Sequence, residues 1–447
     1  MNLSTEQEKA LIAFKNGKNI FLTGPGGSGK TELIKRMVEI ANNNNKNIQV
    51  CALTGCATVL LKCGNPKTIH SWAGIGLASE NSNKVIDRVI KNSHKRKNWN
   101  KVEILIIDEI SMMSKKIFEI LDIIGRKIKK KMLIPFGGIQ VIFSGDFYQL
   151  PPIGDEEDEE SMMFCFESPM WEKTIDEVIQ LTTIFRQTDQ DYKKILNQIR
   201  VGKLYKSSYE KLMTRVNIQE KINNFNIKPT ILLPRRKDVD FINLNELMKL
   251  KTEIITYNMK KEFIDINKIN NNTKLEIPSK TLLGVSIEER EIEIKKLIGN
   301  IMVDEKIELR IGAQVMCIAN IDLEQPYPIV NGSQGIIIDI CRGLPVVQFT
   351  HGQKRIIDWH TWTSEKIIDI AIKQIPLICA WAITIHKAQG ITLELAEIDA
   401  GKNIFECGQT YVALSRVKAL DGLYLTNFDP TKIKVNKKVQ EFYKTLS

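Results

Sequence analysis

Four short apolar runs punctuate the first third of the chain: NIFLTG (19–24), IQVCALT (48–54), VEILIIDE (102–109) and QVIFSGD (140–146). Runs of this length read as strands buried on both faces. Helical stretches lie between them. Such alternation predicts an open α/β sheet with ligands at the C-terminal strand ends. Stretches 189–202 and 236–250 read as helices flanking a strand, PTILLP (229–234), and begin a second α/β unit. Residues 251 to about 300 are rich in Lys, Glu and Ile, with an Asn cluster at 270–272, and read as connections. From 307 to 362 the texture is that of a small antiparallel β module: QVMCIAN, GIIIDI, PVVQF and RIIDW, parted by Asn-Gly, Arg-Gly and His-Gly turns. IPLICAWAITIHKAQG and QTYVALSRVKALDGLYL then return to α/β texture. The β module therefore reads as an insertion in the second unit.

Composition narrows this picture. A chain of 447 residues exceeds a single hydrophobic core, so several domains are expected. Hydrophobic residues make up 43%, ordinary for a soluble protein, and no stretch approaches the ~20 apolar residues of a membrane span. MNLSTEQEKAL has no apolar signal core and no Arg-rich leader, so no targeting peptide is expected. Eight cysteines are scattered without a Cys-x-x-Cys pair, and there are five histidines. A zinc site or disulfide framework is not expected; an intracellular, reducing location is (nucleus, cytoplasm or a viral replication site), not secretion. The net charge of +10 favours a polyanionic partner. The acidic run at 155–160 and the basic runs HKRK (94–97) and RKIKKK (126–131) read as solvated surface.

The chemistry begins at GPGGSGKT, where Gly24, Pro25, Gly26, Gly27, Ser28, Gly29, Lys30 and Thr31 join a strand to a helix. Glycines let backbone N–H groups wrap phosphates at a helix N-terminus. Lys30 is placed to reach the β- and γ-phosphates, and Thr31 to hold Mg²⁺. ILIIDE ends in two carboxylates: Asp108 suits Mg²⁺, and Glu109 suits polarising the attacking water. Gln7 has two readings. STEQ (4–7) is a capping box, and a glutamine just before the first strand also suits the adenine edge. These motifs fit a kinase, a clamp loader or a helicase alike. A GTPase is disfavoured, because the chain carries no Asn-Lys-x-Asp stretch.

With IIDEISMM, PFGGIQVIFSGDFYQLPP, FRQ, TIHKAQG and VALSRVKALDGLYL in this order, the chain resembles the Pif-one family of superfamily-one DNA helicases, B branch. The resemblance runs from Gln7 to about Phe428 and is most specific over 104–153; RecD-type helicases share the general scheme. It implies two RecA-like P-loop NTPase domains, with a small SH3-like β barrel inserted in the second. The ranges are 1–175 for domain one, with a wedge-like insertion near 64–98, then 176–306 and 364–447 for domain two, and 307–363 for the barrel. It implies ATP and Mg²⁺ as cofactors and 5′-to-3′ movement on single-stranded DNA. Forked or tailed duplex is the expected substrate and a monomer the expected acting unit, with no membrane expected. Gln149 matches the γ-phosphate sensor, and Arg186 and Arg416 match two arginines that the second domain presents to the γ-phosphate.

The resemblance also supplies a DNA track. Thr54, Gly55 and Ala57 in TGCAT match a turn that holds the DNA backbone, although Leu53 stands where the family usually has proline. His70 and Trp72 in TIHSWAGI match the next contact; Trp72 reads equally as a core-packing aromatic. Thr384, His386 and Lys387 match the second domain's phosphate contact, with Gln389 and Gly390 linking it to the nucleotide. Two other readings stand beside helicase. One is a DNA-stimulated ATPase that translocates or displaces proteins without productive unwinding. The other is a nucleotide-dependent interaction module.

Overall fold

The computed structural model describes residues 3–61, 63, 66–76, 78–218, 228–263, 287–300, 304–319, 321, 329–363 and 370–446. The Asn cluster at 270–272 lies outside them. The chain folds as two units, one of Met1–Ile218 with Ile385–Ser447, the other of Gln219–Thr384.

In the first unit, β1 (Ile20–Thr23), β2 (Ile48–Ala52), β3 (Lys67–Thr68), β4 (Ile104–Asp108), β5 (Gln140–Gly145) and β6 (Glu177–Gln180) form one sheet. Their order is β3-β2-β4-β5-β1-β6, and every pairing is parallel. The four apolar runs are β1, β2, β4 and β5. Alternate side chains enter two different cores. Ile20, Leu22, Ile104, Ile106 and Ile142 pack on one face with Leu33 and Met37 of the helix Lys30–Asn43. Phe21, Leu105, Ile107, Val141 and Phe143 pack on the other with Phe118, Leu121 and Ile124 of the helix Lys115–Lys129. Two covered faces explain why these strands read as unbroken apolar runs. Each fully buried side chain of this size contributes about 1.5–3 kcal/mol.

The helix Lys115–Lys129 is capped by Ser114, whose hydroxyl accepts from the Ile117 N–H at 3.3 Å. Its buried Asp122 accepts from Arg126 Nε and from the Phe136 N–H, both at 2.7 Å. That carboxylate fixes the turn that feeds β5. From the second basic run, Lys129 Nζ donates to the carbonyls of Asn100 and Val102 at 2.7 and 2.8 Å. The acidic run is more than solvated surface. Glu160 pairs with Lys115 at 2.7 Å, and Asp158 with the buried Lys116 at 2.6 Å. The final helix, Lys437–Thr445, returns to this core and stacks Phe442 on Phe166 at 4.3 Å.

In the second unit Thr230–Leu233 pairs in parallel with Ala382–Thr384. Between them in sequence lies an antiparallel sheet of Lys354–Ile356, Leu344–Phe349, Gln334–Cys341, Gln314–Cys317 and Leu377–Cys379, in that order. Arg342 and Gly343, with φ of 51° and 78°, make its tightest hairpin. The β module thus extends past 362 to take in 377–379. The expected connections over 251–300 also contain elements. Ile255–Asn258 pairs with Lys306–Leu309, Lys260–Phe263 pairs with Ile370–Gln374, and Ile287–Asn300 is helical.

Candidate active site

The side chains expected at the nucleotide gather where β1, β4 and β5 end. Gly24 to Gly29 turn out of β1 into the helix that starts at Lys30. Lys30 Nζ donates to the carbonyls of Gly24 and Pro25 at 2.7 and 3.0 Å. Burial lowers its pKa, while the carboxylates of Asp146, Glu109 and Asp108 favour its charged form. Thr31 begins the same helix, and Ser28 is buried within the loop.

At the end of β4, Asp108 Oδ1 accepts from the Ser144 hydroxyl of β5 at 2.7 Å. Burial, and then the charge of Glu109, push the Asp108 carboxyl up to about 6. Glu109 has φ 55° and ψ 44°, a left-handed backbone that costs a non-glycine residue about 1–3 kcal/mol. Gly145 makes room for it. A Cβ at Gly145, where φ is 154°, would lie 2.8 Å from the Ile110 nitrogen. Four residues beyond, Gln149 is 5% exposed. β5 runs between β1 and β4, so the glutamine segment leaves the sheet between the phosphate loop and the carboxylates.

Three further groups close on this point. Gln389 Nε2 donates to Glu109 Oε2 at 3.0 Å and to Gln149 Oε1 at 3.4 Å. Gln389, expected to link the second domain's DNA contact to the nucleotide, faces the Glu109 carboxylate. Arg186 follows Phe185, whose N–H donates to the Gly27 carbonyl at 2.8 Å. A Cβ at Gly27, where φ is 81°, would meet Arg186 Cβ at 2.4 Å, so only glycine allows this approach. Arg416 Nη2 and Arg186 Nη1 lie 3.4 and 3.7 Å from where a Gly26 Cβ would sit. Arg416 donates from Nε to the Val412 carbonyl and from Nη2 to Ser415 Oγ. Burial, then the like charge of Arg186, bring its pKa down to about 9; burial also lowers that of Arg186. Two guanidinium groups side by side, Arg416 buried and Arg186 half-buried, favour an anion between them. Gly390 follows Gln389 with φ of 81°.

The capping reading of Gln7 is seen directly. Its Oε1 accepts from the Ser4 N–H at 3.1 Å, completing the capping box. Its Nε2 lies 2.9 Å from the Cβ position of Gly29, and the Phe185 ring lies 3.5 Å from the same point. Phe185 is 51% exposed, an apolar face beside a glutamine amide. In the sequence Phe185 is marked only by its place next to Arg186.

The turns expected to carry DNA lie past the ends of β2 and β3. Thr54 Oγ1 accepts from the Ala57 N–H at 3.3 Å and so caps the helix Gly55–Leu61. Ala57 is buried, while Thr54 and Gly55 are half-buried. His70 is half-buried, and burial lowers its pKa and that of His386, favouring neutral rings. Trp72 is 3% exposed and packs on Trp99 with ring centroids 4.8 Å apart. Its faces are covered by protein, so the core-packing reading describes it. Lys387 is half-buried, and Thr384, in the second unit, is buried.

Comparison with known proteins follows the same outline. Residues 2–210 match the family model described as PIF1-like helicase. An ATP-dependent DNA helicase PIF1 of Danio rerio is 35% identical over 449 residues, covering 99% of this chain and 64% of that protein. The chain thus spans less than two thirds of that relative. The ATP-dependent DNA helicase RRM3 of Saccharomyces cerevisiae is 31% identical over 510 residues, covering 99% of this chain and 68% of that protein. The Pif1 of Bacteroides sp., solved in complex with ADP-AlF4, is 28% identical with a TM-score of 0.77, over 100% of this chain and 97% of that one. The α/β fold with two RecA-like domains is shared with these helicases, and the chain belongs to the PIF1-like helicase family.

Proposed function

We propose that the chain is an ATP-dependent DNA helicase that moves 5′ to 3′ on single-stranded DNA and opens forked or tailed duplex. The observation that carries this reading is the convergence of Lys30, Arg186 and Arg416 on the glycine loop, opposite Asp108, Glu109 and Gln149. Charge spreads over the γ-phosphoryl oxygens as transfer proceeds, and guanidinium groups stabilise it there. In the reading proposed here, Lys30 binds the β- and γ-phosphates, and Gln7 and Phe185 receive the adenine. Glu109 takes the proton of the attacking water. Gln149 donates to the γ-phosphate without a charge of its own.

The donor set fits Mg²⁺. Thr31 offers a hydroxyl, and Asp108 has one oxygen bound by Ser144 and a buried charge that a dication would stabilise. When bound, Mg²⁺ neutralises charge on the phosphate oxygens. The domain ranges 1–175, 176–306 with 364–447, and 307–363 belong to this proposal. So does monomeric action, which the presence of every catalytic group in one chain supports.

Thr54, His70, Thr384, His386 and Lys387 are the proposed DNA contacts. Hydroxyls, neutral imidazoles and one ammonium suit phosphates and sugars rather than base edges, so binding is independent of sequence. Opening a base-pair step costs about 0.6–2.2 kcal/mol, within reach of one hydrolysis cycle. Strand displacement on 5′-tailed and 3′-tailed duplexes tests the reading. ATP-dependent opening of the 5′-tailed duplex alone is expected. DNA-stimulated hydrolysis without opening of either would instead establish a translocase.

A further inference from the structure

Asp146 is wholly buried, although it carries no part of the chemistry above. It follows Gly145 at the end of β5 and begins the segment that leads to Gln149. Arg200, at the end of the helix Gln190–Arg200, grips it with both arms: Nε to Oδ2 at 2.8 Å and Nη2 to Oδ1 at 2.9 Å. Burial opposes the charge on Arg200, but Asp146 outweighs it and holds the guanidinium protonated. That guanidinium lies over the Tyr148 ring at 4.5 Å, and Tyr148 stacks on Tyr443 at 4.7 Å.

The same carboxylate reaches the phosphate loop through a hydroxyl. Tyr411 donates to Asp146 Oδ2 at 3.3 Å and accepts from the Gly26 N–H at 2.9 Å. Burial and then Asp146 raise the Tyr411 pKa, which keeps the donating proton in place. Tyr411 sits on the short helix Gln409–Leu414, directly before Ser415 and Arg416. The Tyr443 hydroxyl makes a second bridge, to Thr23 Oγ1 at 2.5 Å and to Asp146 Oδ1 at 3.4 Å. Three segments that each carry a nucleotide-facing group therefore meet at one carboxylate: Gly26 of the loop, Gln149 of the glutamine segment, and Arg416.

We infer that Asp146, clamped by Arg200 and linked through Tyr411, is a positioning relay that holds Gln149, Arg416 and the phosphate loop in register. This rests on the ATPase reading above. A buried fork–carboxylate pair fixes direction as well as distance, which a lysine cannot reproduce. Displacing reacting groups by about 1 Å costs up to about a hundredfold in rate.

The test is Tyr411→Phe, which removes one oxygen and keeps the ring, with Arg200→Lys and Arg200→Ala beside it. DNA-stimulated ATPase kcat, KM for ATP and melting temperature are measured on the full chain. Tyr411→Phe is expected to lower kcat by about ten- to a hundredfold, with KM and melting temperature held. Arg200→Lys should stay as slow as Arg200→Ala. Tyr411→Phe turnover equal to wild type, or full rescue by Arg200→Lys, overturns the relay. Wild-type protein without ATPase activity sinks the proposed function instead, so the two failures are distinct.

Discussion

The two halves of one sheet edge differ in how their side chains are held. Past β1, β4 and β5, polar groups are locked to one another across long sequence separations: Asp108 by Ser144, Glu109 by Gln389, Asp146 by Arg200 and Tyr411. Past β2 and β3, the threonine hydroxyls bond locally. Thr54 and Thr68 cap the helices that follow them, through Ala57 and Ser71. The difference matches the two tasks of the proposed function. Phosphoryl transfer is sensitive to the placement of a few atoms, whereas a DNA backbone of repeating phosphates tolerates half-buried turns that present hydroxyls and imidazoles.

The largest expected effect breaks the locked side while keeping its shape. Glu109→Gln preserves volume and removes the base. Hydrolysis should fall about 10²- to 10⁴-fold. Binding of a fluorescent ATP analogue should survive, because Lys30 and the loop N–H groups are untouched. Loss of nucleotide binding would take Glu109 out of the water-activating role and make it a support of the loop.

The locked side was legible in the sequence as far as its contacts are sequential. β1, β2, β4 and β5 are apolar because both faces are covered, and the glycine loop and the Asp108–Glu109 pair follow directly from their spacing. β3 has two residues and β6 has only Ile179 fully buried, so neither leaves a pattern. Ile255–Asn258 hides for the same reason, being four residues long with only Tyr257 buried. Arg200 and Tyr411 lie 54 and 265 positions from Asp146, and nothing in either neighbourhood marks the pairing. Gln7 was legible as a cap, and its side chain closes the capping box while its amide lies beside Gly29 of the glycine loop.

On the other side, Trp72 is where the two descriptions collide. A stacking platform needs an open face, and this ring lies against Trp99 in the core. Trp99 in turn donates to the Ala73 carbonyl at 3.3 Å, tying the Trp72 helix to the basic helix Ser93–Lys101. Trp72→Ala should therefore cost about 3–5 kcal/mol in urea unfolding. Affinity of the folded fraction for single-stranded DNA should stay at the wild-type value. A large loss of affinity with stability intact would move Trp72 onto the DNA track and dissolve the contrast.

The smallest effect is the most discriminating, because it measures whether the locked side acts as a unit. Gln389 has two N–H groups on one nitrogen, and they serve different partners, Glu109 Oε2 and Gln149 Oε1. Gln389 follows His386 and Lys387 in TIHKAQG, so a shift of that turn displaces the amide that touches both Glu109 and Gln149. Removing either glutamine should slow DNA-stimulated hydrolysis. If the amide transmits movement, the second removal finds part of the effect already gone. Gln149→Ala, Gln389→Ala and the double variant should then show a coupling of about 0.5–1.5 kcal/mol in kcat. Strictly additive losses would mean that the 3.4 Å contact is only proximity. Gln149 would then sense the phosphate alone, with the link to the DNA-side turn running through Glu109.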